Sequence, residues 1–103
     1  MINVTVVYAN TSGSHFDIGY YCNTHIPLVG RLLGPALKGV AVEHGIAGAT
    51  PGSAPPFWAI GQLRFDSLQA FQSAFGPRSQ EIMGDVPNYT NIQPVIQISE
   101  VKL

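Results

Sequence analysis

Apolar residues occupy every second position at the start of the chain, Ile2, Val4, Val6 and Tyr8, with Asn3 and the β-branched Thr5 and Val7 between them. That alternation predicts a strand over Ile2 to Tyr8 with one face turned to a core. Asn10 to Ser14 is a turn cluster, and Ser14-x-x-Asp17 has the spacing of a capping box, so a helix is expected to begin there. Along it Ile18, Tyr21, Cys22, Val29 and Leu32 recur at helical spacing and predict one core-facing stripe. Gly34-Pro35 ends the helix, while Gly19, Pro27 and Gly30 weaken it and a kink is expected near Pro27. Leu37 to Ala47, carrying Val40, Val42 and Ile46, predicts a second strand, and the uncharged stretch Gly48 to Pro56 a flexible connection. Phe57 to Phe65 is aromatic and β-rich, a third strand. Asp66 or Ser67 can cap a second helix bearing Leu68, Phe71 and Phe75. Gly76-Pro77 interrupts that helix, a short turn resumes over Glu81 to Asp85 until Pro87, and Ile92 to Leu103 supplies the last strand.

The order is therefore βαββαβ over one domain, residues 1–103. It predicts an α+β, ferredoxin-like fold: a four-stranded antiparallel sheet with both helices on one face. The other face then needs a cover, and composition points the same way. Only 11% of residues are charged, against an average of about 25%, while 46% are hydrophobic. A surface so poor in charge suits a homodimer that hides part of it. The net charge of -1 lacks the clustered Lys and Arg that phosphate backbones require, so nucleic acid is not an expected partner. No apolar run approaches the roughly 20 residues needed to cross a bilayer, and no basic-then-apolar leader opens the chain, so a cytoplasmic location without membrane contact is expected.

Candidate chemistry centres on His25, which falls inside the apolar stripe and should point inward. Tyr21 lies one turn before it and Leu28 nearly one turn after, so a phenol and an imidazole can share a pocket wall. The imidazole can carry a proton near neutral pH, and the phenol can donate to a developing enolate or phenolate oxygen. The alternative is a buried histidine that simply locks the helix to the sheet. On the third strand Trp58, Ile60, Gln62 and Arg64 share one face and Phe57, Leu63 and Phe65 the other. If the first set meets the helices, Trp58 offers an aromatic platform and Gln62 a polar anchor beside His25; otherwise Trp58 is plain core and Arg64 a dimer contact. Tyr8 is a further wall residue or an aromatic at the sheet end. His15 and His44 should face solvent. Cys22, the only cysteine, reads as a small buried hydrophobe and cannot form an intrachain disulfide. The three His and one Cys show no metal-ligand pairing, and no glycine-rich cofactor fingerprint occurs, so neither metal nor bound cofactor is expected. A lone inward His leaves proximal haem ligation as an alternative.

The run Phe16-Asp17-x-x-Tyr20-Tyr21-x-x-x-His25-x-Pro27-Leu28 resembles the opening signature of the EthD family. Leu37-Lys38-Gly39-Val40, Phe65-Asp66-Ser67-Leu68 and Asp85-Val86-Pro87-Asn88-Tyr89-Thr90-Asn91 follow in the family's order and spacing. The resemblance implies a dimeric α+β barrel, in which two ferredoxin-like protomers join their sheets. The family takes its name from a gene cluster for degrading ethyl tert-butyl ether, and its members are often labelled oxidoreductases. Other branches of the superfamily include cofactor-free monooxygenases, lactone isomerases, polyketide cyclases and haem-degrading enzymes, so the fold does not choose a reaction. Three functions remain in view. One is a cofactor-free enzyme holding a small hydrophobic oxygenated molecule in the helix–sheet cleft, with His25 and Tyr21 catalytic and Trp58, Gln62, Tyr8 and Leu28 binding. Another is a carrier or accessory protein using the same cleft, and the last a dimer whose cleft is filled by its own side chains.

Overall fold

A computed structural model describes all residues, Met1–Leu103. Four strands, β1 (Ile2–Ala9), β2 (Gly39–His44), β3 (Phe57–Phe65) and β4 (Val95–Glu100), form one antiparallel sheet in the order β2-β3-β1-β4. Helix α1 runs as Ile18–Tyr20, a wide π turn at Tyr21–His25, and Ile26–Leu33; helices α2 (Leu68–Phe75) and α3 (Ser79–Gly84) follow β3. The α+β, ferredoxin-like arrangement is thus present.

Register decides which side chains share a face. Val4 pairs with Leu63 and Ile98, Val6 with Gly61 and Ile96, and Tyr8 with Ala59. Side chains alternate along a strand, so these residues point to one side, where Val4 and Phe65 pack on Val29 and Leu33 of α1, Phe71 of α2 and Ile82 of α3. Leu63 and Phe65 therefore face the helices, whereas Phe57, beyond an irregularity in the β1–β3 ladder, is exposed. Ile60, Gln62 and Arg64 belong to the opposite, uncovered face, while Trp58, beside the irregularity in the β1–β3 ladder, packs on the Tyr8–Tyr21 cluster with its indole N–H turned to Ser14; this corrects the arrangement that put Trp58 and Gln62 beside His25.

The start of α1 is also simpler than a capping box. Asp17 alone caps it, its Oδ1 accepting from the Tyr20 amide at 3.0 Å, while Ser14 Oγ donates to the Thr11 carbonyl and accepts the Trp58 indole N–H at 2.9 Å. Instead of a break at Pro27, the turn just before it widens, and the Ile26 N–H reaches the Tyr21 carbonyl five residues back. Proline has no N–H to give and its ring crowds the carbonyl four residues earlier, so a wider turn beside it relieves both problems. The extra residue rotates Cys22 off the stripe. Tyr21, His25, Val29 and Leu33 are buried at four-residue steps, whereas Cys22 is exposed rather than part of the core.

Ser67, not Asp66, caps α2, accepting from the Ala70 amide at 3.0 Å. Strands β2 and β4 are shorter than the sequence suggests. Pro94 stands just before β4, where it lacks a ladder donor, and Ile92 joins an aromatic cluster instead of the sheet. The helix layer stops short of β4, leaving Ile96 and Ile98 on the helix side 45% and 43% exposed.

Candidate functional site

The ends of β1, β3, α1 and the segment after α3 bring six aromatic rings together. Tyr8, Tyr21 and Tyr89 are buried here with Ala59 and Ile92, and Phe16 packs on all three phenols at centroid distances of 4.8, 5.1 and 5.4 Å. The Tyr8 and Tyr89 hydroxyls share a hydrogen bond of 2.7 Å, and the Tyr21 hydroxyl lies beside that of Tyr8. The reason Tyr21 can reach the sheet is Gly61: a Cβ there would lie 2.2 Å from the Tyr21 hydroxyl. Only a glycine leaves that space.

His25 is 4% exposed. Its ring stacks on Tyr21 at 5.5 Å with 17° between planes, and meets Tyr89 at 4.7 Å. Nδ1 is 2.8 Å from Asp85 Oδ2. Asp85, at the C-terminus of α3, also accepts from the Tyr20 hydroxyl at 2.7 Å and from Asn88 Nδ2 at 2.9 Å. A carboxylate already receiving two donors fixes the third: Nδ1 carries the proton and donates, which leaves Nε2 with its lone pair.

Burial pushes the His25 pKa below the ordinary 6.5, and the hydrogen bond and charge of Asp85 oppose that without overcoming it. His25 is therefore neutral at pH 7. Burial of Asp85 works toward a higher value, but hydrogen bonds from Asn88, Tyr20 and His25 outweigh it and hold the carboxyl below the usual 3.8. Burial, then the neighbouring phenols, push Tyr8 and Tyr21 far above the usual 10.0, and burial does the same for Tyr89. All three stay protonated and act as hydrogen-bond donors.

A cavity of about 50 Å³ opens beside these rings, lined by 15 residues of which 13 are hydrophobic. Tyr8, Tyr21 and His25 line it together with Val6, Ile26, Val29 and Ile96. His25 Nε2 has no hydrogen-bond partner in the chain, yet no side-chain N or O closed off from solvent lacks one, so Nε2 is accessible.

Of the residues singled out in the sequence, His25, Tyr21 and Tyr8 meet at one cavity. Gln62 does not: it pairs with Thr5 and Ala41 in the middle of the uncovered sheet face. Trp58 lies behind the aromatic cluster with its indole held by Ser14, outside the cavity wall. Leu28 is half-buried and likewise outside it, because the buried stripe of α1 runs through His25 and Val29. Asp85, Tyr89, Tyr20, Asn88 and Gly61 were missed as site residues. The run Asp85 to Asn91 carries part of the family resemblance, but nothing in its spacing ties it to His25, 60 residues earlier.

The cavity has no room for a porphyrin, so the residues around His25 do not fit haem. No three His, Cys, Asp or Glu side chains come together. No helix is long and apolar enough to cross a membrane.

A family model described as the EthD domain matches residues 14–93. The solved structure of an EthD-like protein from Ralstonia eutropha JMP134 is 44% identical, with a TM-score of 0.94 over 99% of this chain and 92% of that one. An ethyl tert-butyl ether d (EthD) family protein from Bacillus halodurans C-125 is 20% identical, with a TM-score of 0.68 and 99% of both chains covered. A dimeric ferredoxin-like protein of unknown function from Thermobifida fusca YX is 13% identical, with a TM-score of 0.58 over 97% of this chain and 90% of that one. The last two likenesses speak for the fold alone. No curated protein matches the sequence.

Proposed function

The chain belongs to the EthD family, and from that premise we propose that it binds a small hydrophobic oxygenated molecule between helices and sheet and acts on it without a bound cofactor. His25 serves as acid and base at Nε2, Tyr21 as hydrogen-bond donor, and Tyr8 as a binding wall. The observation that carries this reading is the locked imidazole: Nδ1 is held by Asp85 at 2.8 Å while Nε2 stays accessible beside an apolar cavity. A neutral imidazole fixed in one tautomer, with its free nitrogen accessible, is able to take and return a proton as general acid–base catalysis requires. Apolar walls with few polar groups suit an oxygenated organic molecule.

The second part of the reading is a homodimer through the uncovered sheet face, which carries Val7, Ile60 and Val95 among Thr5, Gln62 and Gln97. The dimeric relative from Thermobifida supports it by fold.

Ligand-observed NMR with a panel of small neutral ketones and phenols tests the function on wild type and His25→Ala. Binding by both proteins with conversion only by wild type is expected. Equal conversion by both removes the acid/base role, binding without conversion leaves a carrier, and no binding by wild type removes the site.

A further inference from the structure

The lining of the cavity restricts what can enter it. Not one of its 15 residues is Lys, Arg, Asp or Glu. A charged guest of either sign would shed water there and find no counter-charge at the wall, a cost that uncharged molecules avoid. An anion is further opposed by the Asp85 carboxylate directly behind His25.

The polar atoms that remain are complementary. Nε2 of His25 offers a lone pair. Tyr89, Tyr8 and Tyr21 form a row of neighbouring hydroxyls, and three hydroxyls carry three protons while at most two hydrogen bonds link them. One proton is left over. Either hydroxyl of the Tyr8–Tyr89 pair can donate, so the row can also run toward Tyr21, which then delivers that proton to an outside acceptor; Tyr21 is the ring stacked on His25. A base and a donor one helical turn apart, between apolar walls, match a molecule whose acidic hydrogen and oxygen sit on adjoining atoms.

Resting on the function proposed above, we infer that the cavity takes an uncharged, enolisable carbonyl compound and moves a proton at the carbon next to its carbonyl. Nε2 accepts the proton as the C–H bond breaks. The electron pair forms a carbon–carbon double bond, and the carbonyl oxygen gains the negative charge and the Tyr21 hydrogen bond. Return of the proton from Nε2 to the same or a conjugated carbon regenerates the carbonyl and the neutral imidazole. Nothing is oxidised or reduced, and no co-reactant is consumed.

The probe is cyclopentanone deuterated beside its carbonyl, with deuterated pyruvate as a charged keto compound of equal heavy-atom count. Proton NMR follows washout of deuterium, and ligand-observed NMR follows binding. Wild type is expected to exchange cyclopentanone about 10²-fold faster than His25→Gln, with Tyr21→Phe slowed by about as much, and to leave pyruvate at the level of His25→Gln. Circular dichroism establishes that both variants fold. Wild-type exchange no faster than His25→Gln, or pyruvate exchanged as readily as cyclopentanone, overturns the inference. Cyclopentanone that binds without exchanging overturns the proton shift and leaves small-molecule binding standing. Cyclopentanone that does not bind overturns the substrate class, while the wider panel of phenols still decides the function.

Discussion

The acid–base role proposed for His25 depends on Asp85. Its carboxylate does two separable things: it fixes the proton on Nδ1, and it works against the burial that lowers the imidazole pKa. Asp85→Asn removes the charge and lets the amide present its NH₂ to Nδ1, which favours the wrong tautomer. The variant should lose about 10²-fold in turnover, and the acid limb of its pH profile, which in wild type lies below 6.5, should move to still lower pH. A limb that moves upward contradicts this assignment. Gly61 is open to a more local test. Alanine there puts a methyl group 2.2 Å from the Tyr21 hydroxyl, whereas the next ring atom stands at 3.4 Å. Gly61→Ala should therefore destabilise by about 1–3 kcal/mol, and most of that cost should vanish in a Tyr21→Phe background. Thermal denaturation of the four proteins in the cycle measures it, and an undiminished cost in the double variant places the clash elsewhere.

At the scale of elements, alternation made β1 and β3 legible because each strand has a single clean period of two. The two faces of β3 could not be ranked from sequence, since Trp58 and Ile60 are as apolar as Phe57 and Leu63; only the pairing of Val4 with Leu63 decides between them. Helix α1 was read at a constant 3.6 residues per turn, which holds after Ile26 but not across Tyr21–His25. One wide turn rotates the stripe and moves Cys22 outside while keeping Tyr21 and His25 within, so the burial of these two residues is legible in the sequence even though the phase is not. Cys22 gives the test: a thiol reagent such as Ellman's should modify it fully in the native protein without denaturant. Protection of this thiol would restore the regular helix. The partnership of Asp85 with His25 was beyond any local pattern, because it joins the ends of two helices across 60 residues of chain.

For the whole molecule, the sheet is covered by helices on one face only, and the exposed apolar residues Val95, Ile96 and Ile98 gather on β4. Sedimentation at micromolar concentration should give a dimer, and Ile60→Glu, in the middle of the uncovered face, a monomer; a wild-type monomer contradicts the proposed assembly. Acidity should weaken the fold in a defined order. The folded pKa values of His25 and Asp85 both lie below their ordinary values, so the unfolded chain binds more protons and stability rises with pH. It should be lost first as pH falls below 6.5, where the unfolded chain's imidazole takes up a proton that burial denies to folded His25, and again below 3.8, where the unfolded carboxyl protonates ahead of the hydrogen-bonded Asp85. Thermal melts between pH 7 and 5 should show the first loss in wild type and a smaller one in His25→Gln. Fold, cavity and base come together in one property of one ring, and ¹⁵N NMR of the His25 imidazole at pH 7 reads it directly. A neutral ring with its proton on Nδ1 and an unprotonated Nε2, titrating below 6.5, is the expected result. A ring protonated on Nε2, or an imidazolium at that pH, would contradict it.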